Sequence, residues 1–412
     1  MTTQPGPDDT GIAQHPRPVS RFRLLPLGGL CLTVAALALV GVVHGGQVTG
    51  DLPASALVPP QTAAQKEKAA EREAKRLARA KQACRPAFST GVRAEPWVGA
   101  RRQQSEQVFK ARMKKEKRTY VKGRDGWKFF TDLQSDNFSQ AVGRVTQTAK
   151  QRTAWAKWIA QSQKTVEKAG GQYYVVISPA NWDIYPQKLP VWAQKLRGTT
   201  SLQTLMAEHP ELPWVDPRAA LRKAAKKNDT YEPLDSHWTP YGGYVAWQAI
   251  TKCLRATDDA LKAADAPPIT GVGITANSNE FAADGVKPGK PRRTYPIYAA
   301  PHPETTTTHL PDGAPIANSP DFVTDTIQAP LKTSTPSAQL PGSTLLTLRD
   351  STGNALSPLW STTFGTTVQY GHGINQLGLK PPDLAQLMST YHPDVVLFVI
   401  TERFLAQRAP KP

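Results

Sequence analysis

The sequence predicts an α/β fold built in layers, and three observations carry that prediction. Uncharged, β-branched runs such as YYVVIS (173–178) and VVLFVIT (395–401) read as strands buried on both faces. Amphipathic stretches at 146–170 and 241–257 read as helices between them. Strand, loop and helix alternate through most of the chain, the pattern that stacks helices on a sheet. With 412 residues, 39% of them hydrophobic, and ten Trp, there is ample material for a folded core.

Taken in order, residues 1–23 are Pro- and Thr-bearing and form a tail without apolar periodicity. Residues 24–43 (LLPLGGLCLTVAALALVGVV) carry no charge. Twenty residues of helix span about 30 Å, one hydrocarbon thickness. Arg17, Arg21 and Arg23 precede the run, which places the tail in the cytoplasm and the remainder outside a cell membrane. A cleaved signal peptide is the alternative; the length and weak cleavage context favour a retained single-pass anchor. Residues 44–83 form a linker whose Ala-, Lys-, Glu- and Arg-rich part predicts an exposed helix without a coiled-coil seam. The body, residues 84–412, forms one domain.

Charge is unevenly spread. Residues 61–124 hold 19 Lys and Arg against 6 Asp and Glu, in a chain of net charge +17. That excess fits a solvated basic face, an anionic lipid surface or an acidic polymer; nucleic acid is excluded as a partner for a chain outside the membrane. Of three Cys, Cys31 falls in the apolar span, and Cys84 and Cys253 either pair in an oxidising compartment or remain free thiols. No Cys/His spacing suits a structural zinc site.

Within the body, 121–130 reads as a Gly-bounded turn entering an aromatic strand. The helix 146–170 sets Trp155 and Trp158 on one face. A buried strand and loop occupy 171–186, and a short strand and helix 213–227. The helix 241–257 offers Val245, Ile250 and Leu254 to the core. Residues 266–340 are rich in Pro, Thr, Ala and Gly. They read as a loop-rich β insertion, with short strands at 292–298 and 321–328. The α/β pattern resumes with strand, tight turn and helix over 343–365, and a last buried strand within 394–407.

Two stretches carry chemistry. In LLTLRDSTGNAL (345–356) an apolar strand runs into Arg349, Asp350 and Ser351, with a helix after them. Ligands of open α/β sheets bind at such strand ends; Asp350 or Ser351 acting only as a helix cap is the structural alternative. In EPLDSHWTPYGGY (232–244), Asp235 and His237 stand two apart, with Thr239 and Pro240 suited to start a helix. That pair serves either as a local hydrogen bond or as the base and orienting carboxylate of a serine relay.

These motifs resemble the SGNH-hydrolase-like domain of the alginate O-acetyltransferase family. DSHWTPYGG (235–243) is similar to that family's Asp-x-His-Trp-Thr-Pro-x-Gly motif, and GRDGWKFF (123–130) to its Gly-Trp-aromatic strand. ANWDIYPQKLP (180–190), RDSTGNALSP (349–358) and TERFL (401–405) resemble further segments in the same order, over roughly 84–408. The resemblance implies a three-layer, flavodoxin-like parallel sheet in circularly permuted order. It implies Ser351 as nucleophile, His237 as general base and Asp235 as its orienting carboxylate. Trp238, Asp350 and Arg403 are its candidate substrate contacts. The Ser351 N–H is one oxyanion donor, others lying in 371–373 or 401–403. A Cys84–Cys253 disulfide also follows from the resemblance.

The implied activity is O-acetyl transfer to a cell-envelope or secreted polysaccharide without metal or diffusible cofactor, the acetyl group supplied by a membrane-bound O-acyltransferase. Carbohydrate acetylesterase activity and non-catalytic glycan binding or scaffolding are the alternatives. The turn departs from the family at two places: Arg349 stands where Gly is usual, which predicts backbone strain, and Thr352 where an aromatic is common.

Overall fold

The structure is a computed structural model that describes residues 62–88, 95–116, 118–310, 312–316, 330–374 and 379–410. The expected tail and membrane anchor (1–43) and the expected strand at 321–328 lie outside those residues. No helix among the described residues is long and apolar enough to cross a membrane. The chain divides into two compact units at Arg72 and Glu73. Of the first unit, only residues 62–72 are described, mostly the start of an exposed helix, Ala63–Cys84. The second unit, Glu73–Pro412, carries the sheet and the candidate site.

Twelve strands are described: β1 (Tyr120–Lys122), β2 (Lys128–Phe130), β3 (Gln172–Ser178), β4 (Trp214–Val215), β5 (Ile269–Thr275), β6 (Arg293–Tyr298), β7 (Thr306–His309), β8 (Pro315–Ile316), β9 (Leu331–Ser334), β10 (Leu340–Arg349), β11 (Phe364–Gly371) and β12 (Val395–Thr401). Eight form one sheet in the order β4-β3-β12-β10-β11-β9-β7-β8. The first five are parallel. β9, β7 and β8 continue the sheet antiparallel. The expected all-parallel sheet is therefore corrected to a mixed one, and part of the 266–340 insertion belongs to the main sheet. The reason lies in residue chemistry. β7 reads TTTH and β9 LKTS, and Thr favours a pleated strand without adding apolar signal. The Thr307 and Thr333 hydroxyls meet across the two strands at 3.0 Å.

The layers follow from the period of two along the central strands. Tyr174, Val176, Leu345, Val395, Leu397 and Val399 face one core, closed by the helix Pro240–Thr257 through Val245, Ile250 and Leu254. Their neighbours Tyr173, Val175, Ile177, Leu346, Val396 and Phe398 face the other, covered by the helix Ala149–Lys168 through Trp155, Ile159 and Val166. Thr148 and Gln151 close that helix's first turn as a reciprocal capping box. Trp158 is only partly buried and stacks edge-on to Phe398 at 5.0 Å. β1 and β2 form a hairpin whose turn places Asp125 and Gly126 at φ 52° and 83°. β5 and β6 make a second two-stranded sheet against the Pro240–Thr257 helix.

Cys84, at the end of the first helix, is bonded to Cys253 in the helix Pro240–Thr257, 169 residues away. Closing so long a loop restricts the unfolded chain by about 5 kcal/mol in the chain-entropy account, and measured losses run about 2–5 kcal/mol. The variant Cys84→Ala/Cys253→Ala is therefore expected to unfold at clearly lower urea in equilibrium denaturation. An unchanged midpoint would show that the bond adds nothing to stability.

Candidate active site

The His loop is fixed before its helix begins. Tyr231 and Trp238 form an isolated antiparallel bridge. The Thr239 side chain then accepts from Gly242 N at 3.0 Å with Pro240 in the first turn, so the helix starts immediately after the motif. Inside that loop the Asp235 carboxylate folds back on its own neighbour. Asp235 Oδ1 accepts from His237 N at 2.9 Å and from His237 Nδ1 at 2.7 Å. One oxygen thus sets both the backbone and the ring.

The Ser turn sits at the carboxyl end of β10. Asp350 caps it, accepting from Thr352 N at 2.9 Å, and Ser351–Leu356 turn as a 3-10 helix. The adjacent parallel strand locks this cap, because Thr401 N donates to Asp350 Oδ2 at 2.7 Å. Ser351 Oγ then lies 2.8 Å from His237 Nε2, across 114 residues of sequence. With Nδ1 facing a carboxylate, Nδ1 carries the hydrogen and Nε2 accepts from the serine hydroxyl. Trp238 Nε1 donates to Thr352 O at 2.8 Å and ties the two loops together.

Arg349 does not strain this turn. It pairs in register with Gly371 and Val399 as the last residue of β10, and it is not among the residues of positive φ. Its buried guanidinium donates to Gln369 Oε1 at 2.9 Å and Asn354 Oδ1 at 2.7 Å. Room comes from Gly353, where a Cβ would lie 2.2 Å from Arg349 Cδ. The strain expected from the missing glycine is thus corrected: a second glycine four residues on receives the side chain.

Two of the expected substrate contacts are structural. Trp238 is 2% exposed and serves as the strut just described. Asp350 is buried inside its cap. Burial opposes its ionisation, but His372, the Thr352 hydroxyl and the Thr401 N–H hold its carboxyl well below the usual range. Neither presents a surface to a ligand. Two expected oxyanion donors are also engaged, Thr401 N with Asp350 and His372 N with Arg349 O at 3.1 Å. Arg403 is different. It is 5% exposed, its Nε has no hydrogen-bond partner, and its charge acts on His237 and Glu280.

Glu280 is the site residue that sequence reasoning missed. Its Oε1 lies 3.4 Å from His237 Nδ1, making it a second carboxylate on the same N–H. Ser236 holds it in place, through its backbone N–H and through Oγ at 3.1 Å. Arg293, on β6, stands behind Asp235 with Nη1 3.5 Å from Oδ2, and pairs with Glu232 at 2.8 Å. No spacing signal in the sequence links 280 to 237.

Electrostatics follow the contacts. Burial pushes the His237 pKa down, but the hydrogen bond and charge of Asp235, with the charge of Glu280, leave it raised. Burial, then the charge of Asp235, pushes Glu280 up against the opposing pull of His237 and Arg403. Burial opposes ionisation of Asp235, but His237 and Arg293 hold it below the ordinary value. Among the described residues, Asp235, His237 and Glu280 are one trio whose ligating atoms fall within 4.8 Å. Its single imidazole already faces a carboxylate with Nδ1 and the serine with Nε2, an arrangement suited to holding a proton.

No curated protein matches the chain. Among solved structures, PatB1 of Bacillus cereus with a sulfonyl adduct is 17% identical, covering 69% of this chain and 95% of that one, with a TM-score of 0.50. A DHHW family protein of Eubacterium siraeum is 14% identical over 71% of this chain and 100% of its own, at 0.49. The O-acetyltransferase domain of Pseudomonas putida AlgJ is 16% identical over 70% and 92%, at 0.41. The likeness to PatB1 is one of fold. A family model described as the SGNH hydrolase-like domain of the acetyltransferase AlgX matches residues 120–309, a span that includes Asp235, His237 and Glu280 and ends before Ser351. Residues 120–309 of this chain are therefore similar to the SGNH hydrolase-like domain of the acetyltransferase AlgX.

Proposed function

We propose that the chain is a polysaccharide O-acetyltransferase that works through an acetyl-Ser351 intermediate. The observation that carries this reading is the unbroken series Ser351 Oγ, His237 and Asp235 at 2.8 and 2.7 Å, at the carboxyl end of the sheet. The family match over 120–309 supports transfer of acetyl groups. In the first half-reaction His237 Nε2 takes the Ser351 proton as Oγ bonds to the acetyl carbonyl carbon of the donor. Collapse of the tetrahedral adduct breaks the bond to the donor's leaving oxygen, and His237 returns the proton to it. In the second half-reaction a sugar hydroxyl attacks the acetyl-Ser carbonyl while His237 accepts its proton. Ser351 then leaves and recovers a proton from His237, and the acetylated sugar departs.

Asp235 keeps the ring in the tautomer that both steps require, and Glu280 shares its N–H. Arg403, buried with an unpartnered Nε, is the residue offered to the substrate. The anchor read at 24–43 would hold the body outside the cell membrane, beside a membrane-bound O-acyltransferase that delivers the acetyl group.

The test is acetyl release from 4-nitrophenyl acetate, and acetyl transfer to sugar oligomers, by wild-type chain and Ser351→Ala. Loss of both activities in the variant, by about 10³-fold or more, is expected for a removed nucleophile. Release to water with no acetylated sugar would make the chain an esterase. Equal rates for the two proteins would refute the serine mechanism.

A further inference from the structure

We infer that the chain has a binding site for an anionic glycan, separate from the serine relay, on the basic helix Arg101–Met113. A cavity of about 690 Å³ opens between this helix and residues 191–196. That volume falls in the range of sites for small ligands. Trp192 lies in its wall, half-buried, between exposed Val108 and Val191. Arg101, Arg112 and Lys195 stand around it, all exposed. Among the described residues, no acidic side chain lines the cavity and none of the three cations is in an ion pair.

The other side of the same helix provides the contrast. There a second cavity is lined by Arg102, Lys110 and Arg144, with Glu106 among them. Glu106 pairs with Arg144 at 2.8 Å and Lys110 at 3.3 Å, so two of those three cations are answered within the protein. In the first cavity none of the three is. The helix start points the same way. Ala100 supplies no side-chain cap, the first turn holds no acid, and Arg101 and Arg102 occupy it. Cations at a helix N-terminus oppose the helix dipole, so folding stability does not account for them there. A bound anion answers Arg101, the first-turn arginine that lines this cavity.

The ligand class follows from the pairing of an aromatic wall with a cationic rim. A pyranose ring presents an apolar C–H face to an indole, while a carboxylate or phosphate on the sugar meets guanidinium groups in charge-assisted hydrogen bonds. An anionic lipid surface would need the charges alone, not a concave cavity lined by Trp192. The site does not depend on the acetyl transfer proposed above.

The experiment is a binding titration of the full chain with oligogalacturonate, its methyl-esterified neutral counterpart, and phosphatidylglycerol vesicles. The expected result is salt-sensitive binding of the oligogalacturonate and none of the neutral ester. Affinity should fall about tenfold for each of Arg101→Gln, Arg112→Gln and Lys195→Gln, the size of one lost charge-assisted contact. Lys110→Gln, on the other face of the helix, should change it less than twofold. Trp192→Phe keeps an aromatic wall and should retain binding, whereas Trp192→Ala should lose it. Equal binding of the ester, or no effect of the three cation variants, overturns the inference. Vesicle binding that exceeds oligogalacturonate binding and survives Trp192→Ala also overturns it, in favour of a membrane-facing patch. Ser351→Ala should bind as wild type does, so failure of the catalytic reading leaves this test intact.

Discussion

Asp235→Asn is expected to lower kcat for acetyl release by about 10²-fold, and Asp235→Asn/Glu280→Gln by about 10⁴-fold. In a Ser–His–Asp relay, loss of the orienting carboxylate by itself reaches about 10⁴-fold because the imidazole takes the wrong tautomer. Here a second carboxylate oxygen lies 3.4 Å from the same nitrogen, held by two contacts from Ser236. With Asp235 neutralised, Glu280 remains to accept from Nδ1, so the single variant keeps part of its rate. The pH profile separates this role from a merely structural one. In the proposed relay His237 acts as a base only when neutral; burial lowers its pKa, but Asp235 and then Glu280 leave it raised, with Arg403 opposing them. Activity therefore falls as pH drops through the raised value. Glu280→Gln removes one negative neighbour, lowers that pKa and moves the acidic limb of kcat/KM to lower pH. Asp235→Asn moves it further. A titration of the His237 ring by NMR reads the same shift without turnover. A double variant no slower than the single one, with an unmoved limb, would show that Glu280 does not share the relay.

How far the sequence disclosed this site depends on the distance over which each signal acts. Asp235 and His237 were legible because one short motif holds the pair, the helix cap and the two glycines. Ser351 was legible because a strand ends and a helical turn begins around it. Glu280 was not, because it reaches His237 from a segment whose Pro, Thr and Gly content reads as loop. Only the tertiary fold brings 280 beside 237. The same segment hid β7 and β9, whose Thr-rich strands lack the apolar run that marked β3 and β12. At Arg349 a local rule misled, since the departure from glycine looked like strain when read alone. Its answer lay at Gly353, and seeing it required knowing that the side chain folds back over the turn. Trp238 misled for a related reason. A Trp beside a catalytic-looking His suggests a ligand surface, but here the indole N–H is committed to Thr352 O and the ring to the core.

The two glycines that close the motif yield the second large effect. Gly243 is buried in the first turns of the helix after His237, and a Cβ there would lie 2.7 Å from Ala355 Cβ and 2.8 Å from Ala355 O. Ala355 belongs to the 3-10 turn that begins at Ser351. The close approach of the two elements therefore helps set how near His237 comes to Ser351. Gly243→Ala forces them apart, and a shift of about 1 Å in a reacting pair is enough to lower the rate about 10²-fold. Overpacking of this kind also destabilises by about 1–3 kcal/mol, so the loss of rate must be read on protein shown to be folded. Gly342→Ala is the control: it lies in β10, the strand that leads to Ser351, but its Cβ would meet nothing within 4 Å, and neither rate nor stability should change. Adding Ala355→Gly to Gly243→Ala removes the closest of the clashing atoms and should recover part of the rate. Gly243→Ala with wild-type kinetics would mean that the helix and the turn can separate without disturbing Ser351 and His237. The spacing of the relay would then be set by the Trp238–Thr352 tie alone.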